Sequence, residues 1–181
     1  MKPVRSISLY FALTLLAVGA FTDAWASSDV YYSAAACMPG YAGAFHDSGA
    51  EGFAWDTRGG WYNKDNNTDE WLICPVPYER EADKFTWLIS VRVVVDDRHS
   101  EKNVGVQLCR QPGEEQAECP LELANNGTGE PGFLGKKTVD VAIRPGSETR
   151  WVWLKIRVPD VDSQTGVSGV LGYRVWREVE R

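Results

Sequence analysis

Along residues 85–95 the chain alternates: Trp87, Ile89, Val91, Val93 and Val95 fall on one side and Ser90 and Arg92 on the other, the two-residue period of a strand with one buried face. Residues 103–109 repeat the pattern with Val104, Val106 and Leu108. The polar run Asp96-Asp97-Arg98-His99-Ser100 between them reads as a connection, so the two strands are expected to pair as antiparallel neighbours. Residues 138–143 align Val139, Val141 and Ile143 before the turn-forming Arg144-Pro145-Gly146-Ser147. Residues 151–158 align Val152, Leu154, Ile156 and Val158, and residues 167–179 close the chain with β-branched and aromatic positions. Earlier strands are expected over residues 30–36 and 70–76, bounded by Gly40, Gly43 and Pro75-Val76-Pro77. Residues 59–69, 111–118 and 124–132 read as surface loops. After the N-terminal apolar run no segment keeps helical spacing for more than two turns. The fold expected is all-β: an antiparallel two-sheet β-sandwich, jelly-roll or immunoglobulin-like, with little helix.

The N-terminus changes the compartment of this picture. Lys2 and Arg5 precede an apolar run over residues 7–21, and Ala24-Trp25-Ala26 supplies a small-x-small cleavage site. Residues 1–26 are read as a signal peptide and residues 27–181 as a single domain. The apolar run is about 15 residues, short of the roughly 20 needed to span a bilayer as a helix. A secreted or periplasmic protein with no membrane segment after cleavage is the expectation. Cys37, Cys74, Cys109 and Cys119 make an even count in an exported chain, which points to two disulfides. Of the three possible pairings, Cys109–Cys119 is favoured by the short turn-rich segment between them, with Cys37–Cys74 following by elimination. A lipid-attachment reading of Ala34-Ala35-Ala36-Cys37 fits poorly, because Ser27, Ser28 and Asp29 separate it from the apolar run and lipidation would strand an odd cysteine.

Several short motifs occur together: Ala35-Ala36-Cys37-Met38-Pro39, Gly60-Trp61-Tyr62-Asn63, Cys74-Pro75-Val76-Pro77, Val93-Val94-Val95-Asp96-Asp97 and Val106-Gln107-Leu108-Cys109. In these the chain resembles a group of uncharacterised exported proteins of myxobacteria and related proteobacteria, which carry a Cys-x-Pro after the signal peptide and a later Cys-Pro. The resemblance covers most of the chain beyond the signal peptide and implies a small β-sandwich. It brings no function with it.

Charge and candidate chemistry exclude more than they suggest. A net charge of −6 without a basic stripe argues against nucleic acid. His46 and His99 stand in separate segments, so no metal site is expected, and no cofactor. Asp160-Val161-Asp162-Ser163-Gln164-Thr165-Gly166 and Asp65-Asn66-Asn67-Thr68-Asp69-Glu70 alternate oxygen ligands without completing a calcium loop. There is no Gly-x-Ser-x-Gly elbow, and Gly135-Lys136-Lys137-Thr138 fails as a phosphate loop because Glu130 stands where glycine is needed. The 25 acidic side chains offer many carboxylate pairs, but sequence spacing identifies none as catalytic.

The tryptophans point further. If Val152, Leu154 and Ile156 face the core, Trp151 and Trp153 face outward with Arg157 on the same side. Arg174 and Trp176 share a parity on the last strand, and an antiparallel neighbour would set them beside that pair. Flat rings flanked by cations stack on sugars and mark interaction surfaces. Trp151, Trp153, Arg157, Arg174 and Trp176 are therefore the candidate ligand-binding residues; the competing reading buries the indoles beneath a sheet or long loops. The reading taken is an exported, non-enzymatic domain that binds an extracellular or envelope glycan, or a protein, through a sheet face or loops. A surface-assembly protein and a glycan-active hydrolase are the alternatives.

Overall fold

The computed structural model describes residues 29–40, 52–77, 87–114, 116–120, 124–125, 135–146 and 148–179. The expected signal peptide, residues 1–26, and His46 lie outside the described residues. In chain order the strands are β1 (Val30–Ser33), β2 (Met38–Gly40), β3 (Phe53–Asp56), β4 (Gly60–Asn63), β5 (Glu70–Val76), β6 (Trp87–Asp97), β7 (Gly105–Pro112), β8 (Ala124–Asn125), β9 (Gly135–Ile143), β10 (Thr149–Val158) and β11 (Gly169–Val179). They form two antiparallel sheets. The first runs β3-β4-β11-β6-β9, with β1 also paired to β11, and the second runs β2-β5-β10-β7-β8. The helix described is one 3-10 turn, Ala34–Ala36, capped by the Ser33 hydroxyl, which accepts from the Ala35 amide at 3.2 Å. Among the described residues no helix is long and apolar enough to cross a membrane.

The alternation seen in the sequence builds the core. Ile89, Val91, Val93 and Val95 of β6, with Val170, Tyr173 and Val175 of β11, pack against Leu72, Cys74 and Val76 of β5, Val106 and Leu108 of β7, and Val152, Leu154, Ile156 and Val158 of β10. Each aliphatic side chain buried here contributes about 1.5–3 kcal/mol relative to exposure. Tyr173 also ties the sheets with a polar bond, its hydroxyl donating to the Pro75 carbonyl at 2.6 Å, and burial pushes its phenol above the ordinary range.

Two expectations are corrected. β6 and β7 do not pair: β6 lies between β11 and β9, and β7 lies between β10 and β8 in the other sheet. Both strands carry an apolar row on one face, and the rows meet across the core; the connection of residues 98–104 is long enough to cross the ~10 Å between sheets. Part of the expected loop 59–69 is strand β4, which pairs with β3 from Phe53↔Asn63 to Asp56↔Gly60. Gly59 at φ 84° turns this hairpin, and the Asp56 carboxylate accepts from the Arg58 amide at 3.0 Å.

β11 takes two partners on one edge. It meets β4 at Gly169 and Val170, then β1 from Gly172 to Val175, and its register against β6 shifts between Val170 and Gly172. A Cβ on Gly169 would lie 2.5 Å from the Trp61 carbonyl oxygen, and one on Gly172 would lie 2.6 Å from that of Tyr32, so glycine is what lets the two strands approach.

The disulfides are Cys37–Cys74 and Cys109–Cys119. The first lies in the core, where the chain passes from β1 of one sheet to β2 of the other. The second joins β7 to the segment along its edge, where Arg110 and Glu118 exchange backbone bonds of 2.9 and 2.8 Å.

Candidate functional site

The outer face of the second sheet is laid out by the strand β10 at its centre. Val152, Leu154, Ile156 and Val158 point into the core, so Trp151, Trp153, Lys155 and Arg157 point away from it. Trp151 is 67% exposed; the other three are half-buried. Register supplies their neighbours. Trp153 lies between Pro75 and Cys109, Lys155 between Ile73 and Gln107, and Arg157 between Trp71 and Gly105. Met38 of β2, opposite Ile73, extends the face and is 59% exposed. The Cys109–Cys119 bridge flanks Trp153, and the Gln107 amide is held by donation to the Pro120 carbonyl at 2.6 Å.

The face has an aromatic platform at each end. Trp151 and Trp153 are two residues apart on one strand, about 7 Å, and the level of Trp71 is four residues beyond Trp153, about 13 Å. Between them stands Lys155, whose ammonium sits 4.3 Å over the Trp71 ring, and Arg157 lies opposite Trp71 in register. Trp71 and Lys155 were not among the residues singled out from sequence. Their signal was parity: Trp71 alternates with the core residues Leu72 and Cys74, but only the β5–β10 register places it against Arg157.

The Trp71 end is braced from below. Arg157 Nε lies 3.8 Å from Asp69 Oδ2. Lys102 Nζ bonds Asp69 at 3.0 Å and Asp160 at 2.7 Å, and these two bonds raise the lysine pKa. Burial pushes the Asp69 carboxyl up, but the Lys102 bond, the Asp160 amide and the charges of Lys102 and Arg157 outweigh it and hold it below the usual range. Beneath lies Asn63, fully buried, its side-chain amide donating to the carbonyls of Thr68, Val158 and Pro159 at 2.9, 3.1 and 3.0 Å while its oxygen accepts from the Asp65 amide at 2.9 Å. It fastens the β4–β5 connection to the end of β10.

Arg174 and Trp176 are not beside this site. They share a parity on β11, but β11 belongs to the first sheet, so they lie across the sandwich from Trp151 and Trp153. The expected adjacency fails because β10 and β11 are consecutive in sequence yet are joined across the core rather than edge to edge. On their own face Arg174 stacks on Tyr31 at 5.2 Å and on Trp176 at 5.4 Å and is ion-paired with Asp29. The Trp176 indole N–H donates to Glu178 at 2.6 Å, and Arg92 grips Asp140 through bonds of 2.7 and 2.8 Å, which lower the carboxyl pKa.

The oxygen-rich segments serve as turns. Asp65 accepts from the Asn67 and Thr68 amides at 2.7 and 3.0 Å, and Asp162 accepts from the Ser100 amide and the Gln164 amide, each at 2.8 Å, and from the Ser100 hydroxyl. His99 Nδ1 accepts from the Glu101 and Lys102 amides at 3.1 and 3.0 Å, and its Nε2 is 3.2 Å from Asp160. Both imidazole nitrogens are thus engaged in holding the β6–β7 connection. Among the described residues no group of three or more His, Cys, Asp or Glu is placed to hold a metal ion.

No protein-family model matches the chain, and no curated protein matches it. Its fold is similar to that of a solved structure. The xylan-binding module CBM15 superposes with a TM-score of 0.51 at 11% identity, covering 86% of this chain and 99% of that one. The low-affinity xylan-binding module CBM86 from Roseburia intestinalis gives 0.43 at 12% identity, covering 84% and 96%. The C-terminal CBM6 of LamC from Zobellia galactanivorans gives 0.40 at 12% identity, covering 82% and 98%.

Proposed function

We propose that this chain is an exported carbohydrate-binding domain that holds a polysaccharide against the outer face of its second sheet. The observation that carries the reading is the outward row of Trp151 and Trp153 on β10, with Trp151 two-thirds exposed at 67% on the central strand of its sheet. A folded domain keeps an indole in water at a cost; a ring face of roughly 80 Å² covered by a sugar at ~25 cal/mol per Å² returns about 2 kcal/mol per platform. Two adjacent rings and a third beyond them suit an extended polymer rather than a monosaccharide. The match in fold to a xylan-binding module supports a polysaccharide as the ligand class, and the two disulfides suit an oxidising, extracytoplasmic compartment. Arg174 and Trp176 are no part of this platform.

Affinity electrophoresis of the folded protein through gels containing soluble plant and bacterial polysaccharides tests the proposal. Retardation by at least one polymer, lost in Trp153→Ala with circular dichroism unchanged, is the expected result. Free migration in every gel by a folded protein would refute it. Concentration-dependent oligomers without glycan would instead favour an assembly role.

A further inference from the structure

Among the described residues, the charges carried by the central strand of this sheet are of one sign. Every ionisable side chain of β10, Arg150, Lys155 and Arg157, is a cation; Lys155 stands between the levels of Trp153 and Trp71, and Arg157 is the register partner of Trp71. The flanking strands add no charge at the register positions beside it: β5 carries Trp71, Ile73 and Pro75, β2 carries Met38 and Gly40, and β7 carries Gln111 and the buried Gly105, Gln107 and Cys109. Among the described residues, the carboxylates ion-paired with these cations sit at the two ends, Glu114 at 3.9 Å from Arg150 and Asp69 at 3.8 Å from Arg157, both beyond hydrogen-bond reach. Asp69 is moreover engaged by Lys102. On a chain of net charge −6, this concentration of cations on the aromatic face calls for a partner.

Lys155 supplies the second observation. Its ammonium rests over a face of the Trp71 ring, 4.3 Å from the centroid, and so occupies a surface on which a sugar could stack. A neutral sugar would have to displace it with no compensation. An anionic group beside the ring draws the ammonium onto itself and frees the indole in one movement. A half-exposed cation–π contact is weak enough to be exchanged for a charge-assisted hydrogen bond. Arg157 stands on the next outward position of β10 with 36% of its side chain exposed, its buried Nε turned toward Asp69 at 3.8 Å.

From this charge complementarity we infer that the ligand is an anionic polysaccharide, with acidic groups on sugars bound between Trp153 and Trp71, where Lys155 and Arg157 receive them. This rests on the carbohydrate-binding reading and narrows it. Carboxylate and sulfate satisfy the same two cations, so the test carries both.

Titration calorimetry of the intact protein with polygalacturonate, a sulfated galactan and unsubstituted xylan, at low and high salt, decides the matter. Binding to one of the two acidic polymers should exceed binding to xylan by about tenfold or more, fall with salt, and drop about tenfold in each of Lys155→Gln and Arg157→Gln. Which acidic polymer binds tells carboxylate from sulfate. Xylan bound as tightly as both acidic polymers, with the two variants unaffected and Trp153→Ala inactive, would overturn the anionic assignment and leave the platform standing. No binding to any polymer by the folded protein would remove the carbohydrate reading itself.

Discussion

Asn63 offers the sharpest test of how the site is held. Its amide has two N–H groups facing three carbonyls at 2.9–3.1 Å, so one hydrogen is shared, and its oxygen takes the Asp65 amide. Asn63→Ala removes about three bonds' worth of interaction at ~1 kcal/mol net each, and partial hydration of the released loop limits the further cost of stranded carbonyls, giving a loss of about 3 kcal/mol. For a domain of this size that lowers Tm by about 10 °C. Asn63→Asp is worse at neutral pH, since it turns a carboxylate oxygen onto carbonyl oxygens in a buried site. Its folded-state pKa must rise, so the penalty shrinks as pH falls toward about 4 and the carboxyl takes up a proton that can donate. Urea unfolding followed by tryptophan fluorescence at pH 7 and pH 4.5, without reductant, measures both effects. A loss under 1 kcal/mol in Asn63→Ala, or an Asn63→Asp penalty that does not change with pH, would refute the argument.

Other expectations concern the cross-links and the acid limb. Replacing Cys109 and Cys119 by serine opens a loop with a sequence separation of 10 and should cost about 2.7 kcal/mol, against about 3.8 for Cys37 and Cys74 with their separation of 37; denaturation midpoints of the two double variants should fall in that order, and the reverse order would contradict it. Tyr173→Phe removes the hydrogen bond to the Pro75 carbonyl and should cost about 1 kcal/mol, seen as a Tm lower by roughly 2–4 °C. Hydrogen bonds from the Arg58 side chain and amide hold Asp56 at about 2, and those from the Ser100 hydroxyl and the Gln164 and Ser100 amides hold Asp162 well below the carboxylate range. Both folded values lie under the unfolded value of about 3.9, so this stabilisation is complete above about pH 4 and drains as pH falls toward 2 and beyond. Urea midpoints of Asp56→Asn should therefore decline less steeply below pH 4 than those of the parent, and parallel curves would count against the assignment.

Strand positions were legible wherever one face is buried and the other wet. Residues 85–95 and 151–158 declared themselves through valine, isoleucine and leucine at alternate sites, and the outward direction of Trp151 and Trp153 followed from the same parity. Partnership was not legible. β6 and β7 each show one apolar row, and nothing local says whether two such rows lie side by side or meet across a core; a connection of intermediate length permits either. The same ambiguity misplaced Arg174 and Trp176, whose parity was read correctly but whose sheet was not. The hairpin of β3 and β4 escaped because its strands are four residues each and lie in a glycine-rich stretch. Trp71 and Lys155 escaped for a different reason: their meeting depends on register between strands about eighty residues apart.

From Trp151 to Val158 β10 alternates strictly between the proposed binding face and the core, and that fixes how this surface can change. Recognition built on loops is retuned by insertion or deletion. Here the spacing of Trp151, Trp153, Lys155 and Arg157 is the pleat itself, and sliding any one of them would drive Val152, Leu154 or Ile156 out of the interior. The surface is a ruler of constant pitch. Its selectivity can drift by exchanging the marks, an arginine for a glutamine or an indole for a phenol, but the interval between them is locked to the folding of the whole domain.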